Sequence, residues 1–465
     1  MKRICITFIV FAAMLAAAVN SFAQAKTIIT LKQAIDTALE NYPELKARKY
    51  MVESAKMNLT DAKNQRLPSL KIGDEVDLGT ANSAVGSYFP MGIVPSTSGA
   101  IRAANNPNDF SGNIGIAYME YELYNFGLNP ARIEAARSLL NSSDADYNKE
   151  SYVLQYRVAE LYFNLLQYKL LTAIQEKNIE RYRVLYNYIK AYTSSGIKAG
   201  VDSSVANAEL SKAKIQYIQT LAIYNKLKSE FMFYTGMKNN NFDVDTVLYH
   251  LSETIINQME QNVNVDSVGS GNPLLAFYKA RWDYALAQEK LVKRSYLPKL
   301  NLLGAGWARG SSISSKDFYG DYSSGLNYNR YNYMGGLAFT YNIADVVHGK
   351  NKAAIFAYQA KSEEQEMASE KTLLESQLQQ ADIAIQAAVN KLREIPVQLK
   401  AAQDAFSQKE AQYNAGLVNI AELTNVSYLL YSAETDQVSA QTDLFVTLLQ
   451  KAITNNTLNN FISQF

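Results

Sequence analysis

The sequence predicts a membrane protein that mixes α and β structure: mostly long α-helical coiled coils, with four β-strands per chain and an internal structural duplication. Three observations predict it. A phrase that ends a helix and opens a strand occurs twice, as "RLPSLKIG" at 66–73 and as "YLPKLNLLG" at 296–304. Each copy closes a frame of the same length, since Pro43 precedes Pro68 by 25 residues and Pro273 precedes Pro298 by 25. The stretch from Asn129 to Tyr192 carries no Gly, and no Pro after its first turn. At 1.5 Å per residue it reaches roughly 100 Å, longer than any compact domain. A repeated frame indicates duplication.

The ends and the composition set limits. With 48% apolar and 19% charged residues the chain can bury a core, but these bulk numbers alone name no function. Lys2 and Arg3, the apolar run "ICITFIVFAAMLAAAV" and small residues at Ser21 and Ala23 read as a secretory signal over residues 1–23. A membrane anchor is the alternative, but the run is short and no stop-transfer pattern follows. Cleavage removes Cys5, the single cysteine, so the mature chain forms no disulfide and is not lipidated on cysteine. It also leaves 43 basic against 44 acidic residues, which speaks against a nucleic-acid partner. No later window holds the eighteen or so apolar residues of a spanning helix. A membrane crossing therefore has to use strands.

The elements follow in order. The first repeat spans 24–237. It opens with a helix over 31–66, rich in Ala, Lys, Glu and Leu, which Pro68 stops. A β-hairpin over 69–124 comes next: Leu70, Ile72, Val76 and Leu78 alternate with Ser69, Lys71, Glu75 and Asp77. A Gly, Ser, Pro and Asn-rich loop separates this strand from a second one carrying Ile114, Ile116 and Tyr118. In "YNFGLNPAR", Gly127 and Pro130 mark the turn into a long helix over 129–193. A turn around Gly196 leads to a return helix over 202–235. Residues 238–272 break the pattern and form a linker.

The second repeat, 273–451, has the same plan: a helix over 273–297, a β-hairpin over 299–343, a long helix over 350–413 and a return helix over 421–451. In its second strand Tyr331, Tyr333, Leu337, Phe339, Tyr341 and Ile343 share a face. Pro396 inside the long helix is expected to kink it. Residues 452–465 form a C-terminal tail. Ile179, Tyr182, Tyr186 and Ile189 keep an a/d spacing, as do Leu392, Ile395, Leu399, Ala402 and Phe406. That spacing suits a coiled coil, although a plain bundle accounts for either stripe alone.

Four strands cannot close a membrane barrel, whose smallest members need about eight, so the chain should oligomerise. Three copies give twelve strands and room for a pore. A strand of about twelve residues, tilted about 40°, covers the apolar band of roughly 25 Å. Both hairpins return to the same side, so all the rods project from one face of the membrane. Twelve rods at spacings near 10 Å make a ring roughly 38 Å across, about 28 Å wide inside.

On these residues the chain resembles the TolC-like outer-membrane efflux family. "LKQAIDTALENYPELKAR" resembles the family's opening stretch, "LPSLKIG" and "LPKLNLL" its two helix-to-strand entries, and "YNFG" its strand-to-helix exit. "SGIKAGVD", with Gly196 and Ile197, and "AGLVNIAEL", with Gly416 and Leu417, resemble its tip turns, where an adaptor makes contact. The resemblance implies a homotrimer: a 12-stranded β-barrel in the lipid of the outer membrane, a periplasmic α-barrel, and an equatorial region formed by the linker and the tail. It implies a passive duct for efflux or type I protein secretion, coupled to a periplasmic adaptor (membrane fusion) protein and an inner-membrane transporter of RND or ABC type. It implies no cofactor.

The resemblance also implies a gate at the tips. Asp202 and Tyr413 stand at two of the family's latch positions, while Val418 occupies the place of its arginine. Closure is then expected to rest on apolar packing, Lys198 being the alternative cation in the first tip turn. Glu422 and Asn425 occupy the two positions of an acidic constriction, which three copies would line with three carboxylates. Glu422 and Asp202 also read simply as acids in the first turns of helices, favourable to the macrodipole.

Other classes fit less well. His250 and His348 stand in linker and turn contexts, and a metal site of His348 with Asp345 competes with a plain turn histidine. A secreted enzyme would need a convergent polar site, and no phosphate loop or nucleophile elbow is present. A soluble coiled-coil scaffold keeps the rods but leaves the alternating strands without a use.

Overall fold

A computed structural model describes residues 27–80, 82, 102–196, 199–246, 268, 271–314 and 316–464. The expected signal, Ile197, Lys198, His250 and most of the loop between the first two strands lie outside the described residues. The chain divides into two compact units. One comprises Met1–Val52, Ser143–Lys279 and Glu364–Phe465, the other Glu53–Ser142 and Ala280–Glu363.

In the first unit, β1 (Thr27–Ile29) leads into α1 (Leu31–Asn41). Thr30 and Gln33 form a reciprocal capping box: the Thr30 hydroxyl accepts from Gln33 N–H at 3.3 Å, and the Gln33 side chain accepts from Thr30 N–H at 3.1 Å. The helix expected over 31–66 is broken in two. Tyr42 takes an extended conformation at ψ 118°, and α2 (Pro43–Asn64) starts afresh. The proline ring disfavours helical backbone in the residue before it, so Tyr42 becomes a corner. In the linker, β4 (Phe242–Val244) pairs in parallel with β1.

The core of this unit joins β1, β4 and α1 to the middle of α3 (Leu128–Ser194), the end of α4 (Gly200–Thr235), and α8 (Ile420–Thr454) with α9 (Leu458–Ile462). Phe163 stacks on Phe445 at 5.2 Å and meets Phe461 edge-on at 6.1 Å. Polar atoms inside it close loose ends of backbone. The Tyr162 hydroxyl donates to Ile29 O at 2.9 Å, and Lys228 Nζ to Phe242 O at 3.0 Å. Asn272, fully buried, donates through Nδ2 to Ile453 O at 3.0 Å and Thr454 O at 3.1 Å. Its Oδ1 accepts from Leu274 N–H at 2.9 Å. One side chain thus caps the end of α8 and the start of α5 (Pro273–Ser295), two sets of groups a helix cannot satisfy alone.

The heptad-like stripes fall on seams between each long helix and its return partner. Tyr182 packs with Leu210 and Ala213 of α4, and Ile179 and Tyr186 flank them. Ala402 of α7 (Asp345–Asn414) packs with Leu430 and Ala433 of α8, flanked by Leu399 and Phe406. The α7 helix continues through Pro396, which lacks the N–H for one helical bond. Both long helices end at a left-handed glycine, Gly196 at φ +76° and Gly416 at φ +75°. At the second, Leu417 N–H bonds to Gln412 O at 2.9 Å and Gly416 N–H to Tyr413 O at 3.1 Å. That pair of bonds is a Schellman motif, and its geometry calls for a residue without a Cβ.

In the second unit, β2 (Ser69–Thr80), β3 (Asp109–Tyr124), β5 (Lys299–Ser311) and β6 (Arg330–Thr340) form one antiparallel sheet in the order β2-β3-β5-β6. The register sorts the side chains into two faces. Ile72 faces Ala117, Ala117 faces Gly306 and Gly306 faces Tyr333. Leu70, Ile72, Val76 and Leu78 therefore share a face with Tyr331, Tyr333, Leu337 and Phe339, across a floor of Gly and Ala. Ile114 and Ile116 lie on the other face, opposite Glu75 and Gly73. The second hairpin loop holds a short helix, α6 (Tyr322–Leu326), where only loop was expected. The Ser111 hydroxyl donates to Tyr322 O at 2.6 Å, and Asn113 Nδ2 donates to Leu326 O at 3.0 Å, which ties the loop to β3. Among the described residues no helix is long and apolar enough to cross a membrane.

Two stability predictions follow from these ties. Asn272→Ala strands buried carbonyls and removes a helix cap, and should cost about 2–3 kcal/mol in denaturant unfolding. Gly416→Ala forces a Cβ into the left-handed region and should cost about 1 kcal/mol, seen as a lower Tm.

Candidate tip gate

Of the residues singled out at the two turns, Tyr413 and Val418 come together within the first unit, with Asp202 as an electrostatic neighbour. Tyr413 is 1% exposed and packs in one cluster with Ile189 of α3, Ala206 of α4, and Ile420 and Leu423 of α8. Val418 packs against the same cluster from the turn, beside Val205, Tyr188 and Phe406. The arginine position of the resemblance is thus filled by an apolar side chain in an apolar setting. Burial, then the charge of Asp202, then Tyr188, raise the Tyr413 hydroxyl to about 12, so it stays protonated at any physiological pH. Asp202 lies in the first turn of α4 and is half-buried. The tyrosine and the aspartate are therefore electrostatic neighbours.

Glu422 sits in the first turn of α8. Asn419 caps that helix, its Oδ1 accepting from Glu422 N–H at 3.0 Å. The Glu422 carboxylate accepts from Lys409 Nζ at 2.8 Å. That bond holds its carboxyl below the usual glutamate range. Asn425 is exposed one turn further on, and Leu417 projects from the turn at 76% exposure. Gly196 and Gly416 face open space.

Sequence reasoning missed Lys409. A signal for it existed, because a helical hairpin mirrors residues about its turn: Lys409 and Glu422 are centred on the same point, between residues 415 and 416, as Tyr413 and Val418 are. Also missed was the pair below the tip, where the Arg181 guanidinium donates to both oxygens of Glu434 at 3.0 and 2.7 Å. This fork ties α3 to α8 at a partly buried level. A groove of about 460 Å³ opens between them and α7, lined by Val184, Leu185, Tyr188, Phe406 and Leu423 with Lys177 and Glu180 at its edge. Of the histidines, His348 is exposed in the first turn of α7.

Comparison with known proteins bears on the whole chain. No curated protein matches it in sequence. Among solved structures, the CmeC outer membrane channel of Campylobacter jejuni superposes with a TM-score of 0.73 at 13% identity, covering 92% of this chain and 86% of that one. The outer membrane protein VceC of Vibrio cholerae gives 0.69 at 12% identity, covering 91% and 96%. The MtrE outer membrane channel of Neisseria gonorrhoeae, in its open state, gives 0.68 at 16% identity, covering 92% and 89%. At these identities the likeness shows a shared fold. The family model for outer membrane efflux proteins matches residues 34–226 and 265–450, both halves of the duplication. The chain thus belongs to the outer membrane efflux protein family, and it is an efflux channel protein of the outer membrane.

Proposed function

We propose that three copies of this chain form a passive exit duct. The observation that carries this reading is the four-stranded sheet, whose outer strands β2 and β6 each have one edge without a partner strand among the described residues. Those same strands expose rows of apolar side chains: Ile72 is 82% exposed and Tyr333 92%. Unpaired backbone cannot face hydrocarbon, so β6 of one copy pairs with β2 of the next until twelve strands close. The face carrying Leu70, Ile72, Leu337 and Phe339 meets lipid, and the face carrying Lys71, Glu75 and Arg309 lines the interior. A soluble scaffold would leave these exposed rows without a role.

In this reading residues 1–23 direct export and are removed. Residues 24–237 and 273–451 are the two repeats, and 238–272 with 452–465 form the collar around the helical barrel. Asp202, Tyr413 and Val418 hold the tip shut by burying the tyrosine against α3, α4 and α8. Gly196, Ile197, Gly416 and Leu417 meet a periplasmic adaptor, which connects the duct to an energised inner-membrane transporter. The chain itself performs no catalysis and needs no cofactor.

Glu422 and Asn425 line the narrowest level, and Lys409 offsets part of the glutamate charge there. The sign of the pH effect follows from the depressed carboxyl. Glu422 stays ionised to lower pH than an ordinary glutamate, and when it does protonate it loses the stabilising Lys409 pair. In planar bilayers the channel should prefer cations from neutral to mildly acidic pH. Glu422→Gln should lower that preference several-fold, and Lys409→Gln should raise it. Unchanged selectivity in both variants would remove Glu422 from the constriction, and no conductance from purified oligomer would remove the duct.

A further inference from the structure

We propose that the groove between α5 and the first turns of α7 binds the headgroup of an anionic membrane phospholipid. The proposal rests on reading the sheet as membrane-spanning and adds a ligand site to it. The groove has a volume of about 470 Å³, within the range of small-molecule sites. Its place in the chain is specific: Tyr296 and Leu297 directly precede Pro298 and β5, and Tyr341 directly follows β6. It therefore lies where helices give way to strands, the level at which a membrane barrel meets water and where aromatic girdles gather.

Shape and charge both suit an amphiphile. Gly349, Ala353 and Ala357 recur at four-residue spacing along one face of α7 and form a shallow apolar floor. The Tyr296 side chain packs against Gly349, so closely that a Cβ there would come within 2.8 Å of its ring. That contact fixes one wall. At the rim stand Lys293 and Lys350. Glu289 pairs with Lys293 at 2.6 Å and orients it, which leaves the rim with one net positive charge. Lysine is a compact phosphate-binding charge on an apolar stem that can lie along such a wall while its head stays in water.

Toward the strands, past Tyr341, the apolar row continues with Phe339 and Leu337, each 65% exposed. A phosphate on the lysines, a glycerol backbone beside the tyrosines and acyl chains on β6 follow one continuous path. Inorganic phosphate has no use for the alanine floor or the strand. A lipid uses all three parts.

The test uses the full mature chain, purified in mild detergent and titrated with phosphatidylglycerol under native mass spectrometry. Phosphatidylcholine and inorganic phosphate run as separate arms. Phosphatidylglycerol should be retained on each copy and phosphatidylcholine much less. The pair Lys293→Gln and Lys350→Gln should weaken retention about tenfold, while Lys293→Arg with Lys350→Arg should keep it. Ala354→Trp, which fills the groove without altering charge, should weaken it as well. Retention indifferent to both the glutamine pair and Ala354→Trp overturns the site. Equal displacement by inorganic phosphate shows a free-anion site and overturns the lipid. Cross-linking that places a neighbouring copy in the groove overturns it too. A conducting oligomer that retains no lipid sinks this proposal alone, whereas a chain with no oligomer at all sinks the membrane reading beneath it.

Discussion

A backbone amide inside hydrocarbon has no water to bond, and that constraint shapes this protein more than any single side chain. The β2-β3-β5-β6 sheet pairs its inner strands on both sides over most of their length and leaves one edge open on each side. Four strands can neither close on themselves nor stand open in a bilayer. The duplication answers half of the requirement by giving each chain two hairpins, and in the proposed trimer repetition around an axis answers the rest. The small residues facing each other, Ala117 with Gly306 and Gly304 with Gly335, leave the bulk of the apolar rows on the outer strands, next to the edges left open.

The helices face the opposite problem. Each satisfies its own backbone along its length, so the difficulty moves to the ends and to the exposed sides. The sides are settled by seams between α3 and α4 and between α7 and α8. The ends are settled one by one: a capping box at Thr30, the shared cap at Asn272, the Schellman turn at Gly416 and the Asn419 cap beside Glu422. One of these caps, Asn272, serves two elements at once. The Arg294 guanidinium shows the same economy between the halves, donating at 3.2 Å to Phe126 O, where Phe126 and Gly127 turn through positive φ to leave β3.

Much of this was legible in the residues. Prolines at 43, 68, 273 and 298 mark where conformation must change, alternation marks strands, and glycine-free runs mark rods. The long-range pairings were not legible. The parallel β1–β4 pair joins two three-residue segments with no periodicity of their own, so tertiary contact alone creates it. The split at Tyr42 was readable from Pro43, but the high helix content on both sides masked it. Both hairpin strands of the first half looked apolar, yet strand register put Ile114 and Ile116 on the face opposite Ile72, because a sheet's faces depend on pairing rather than on either strand alone. At the tip, the apolar surroundings of Val418 followed from the missing arginine, while the Lys409 partner of Glu422 needed the hairpin to be folded in space before it came into view.

The central claim is that the sheet closes only through copies of itself. Its most direct test is the protein mass of the complex extracted from outer membranes in mild detergent, with the bound detergent subtracted. The account predicts three chains per particle. A monomer that stays soluble without detergent would contradict it, since its open, apolar-faced sheet would then need neither partner nor lipid.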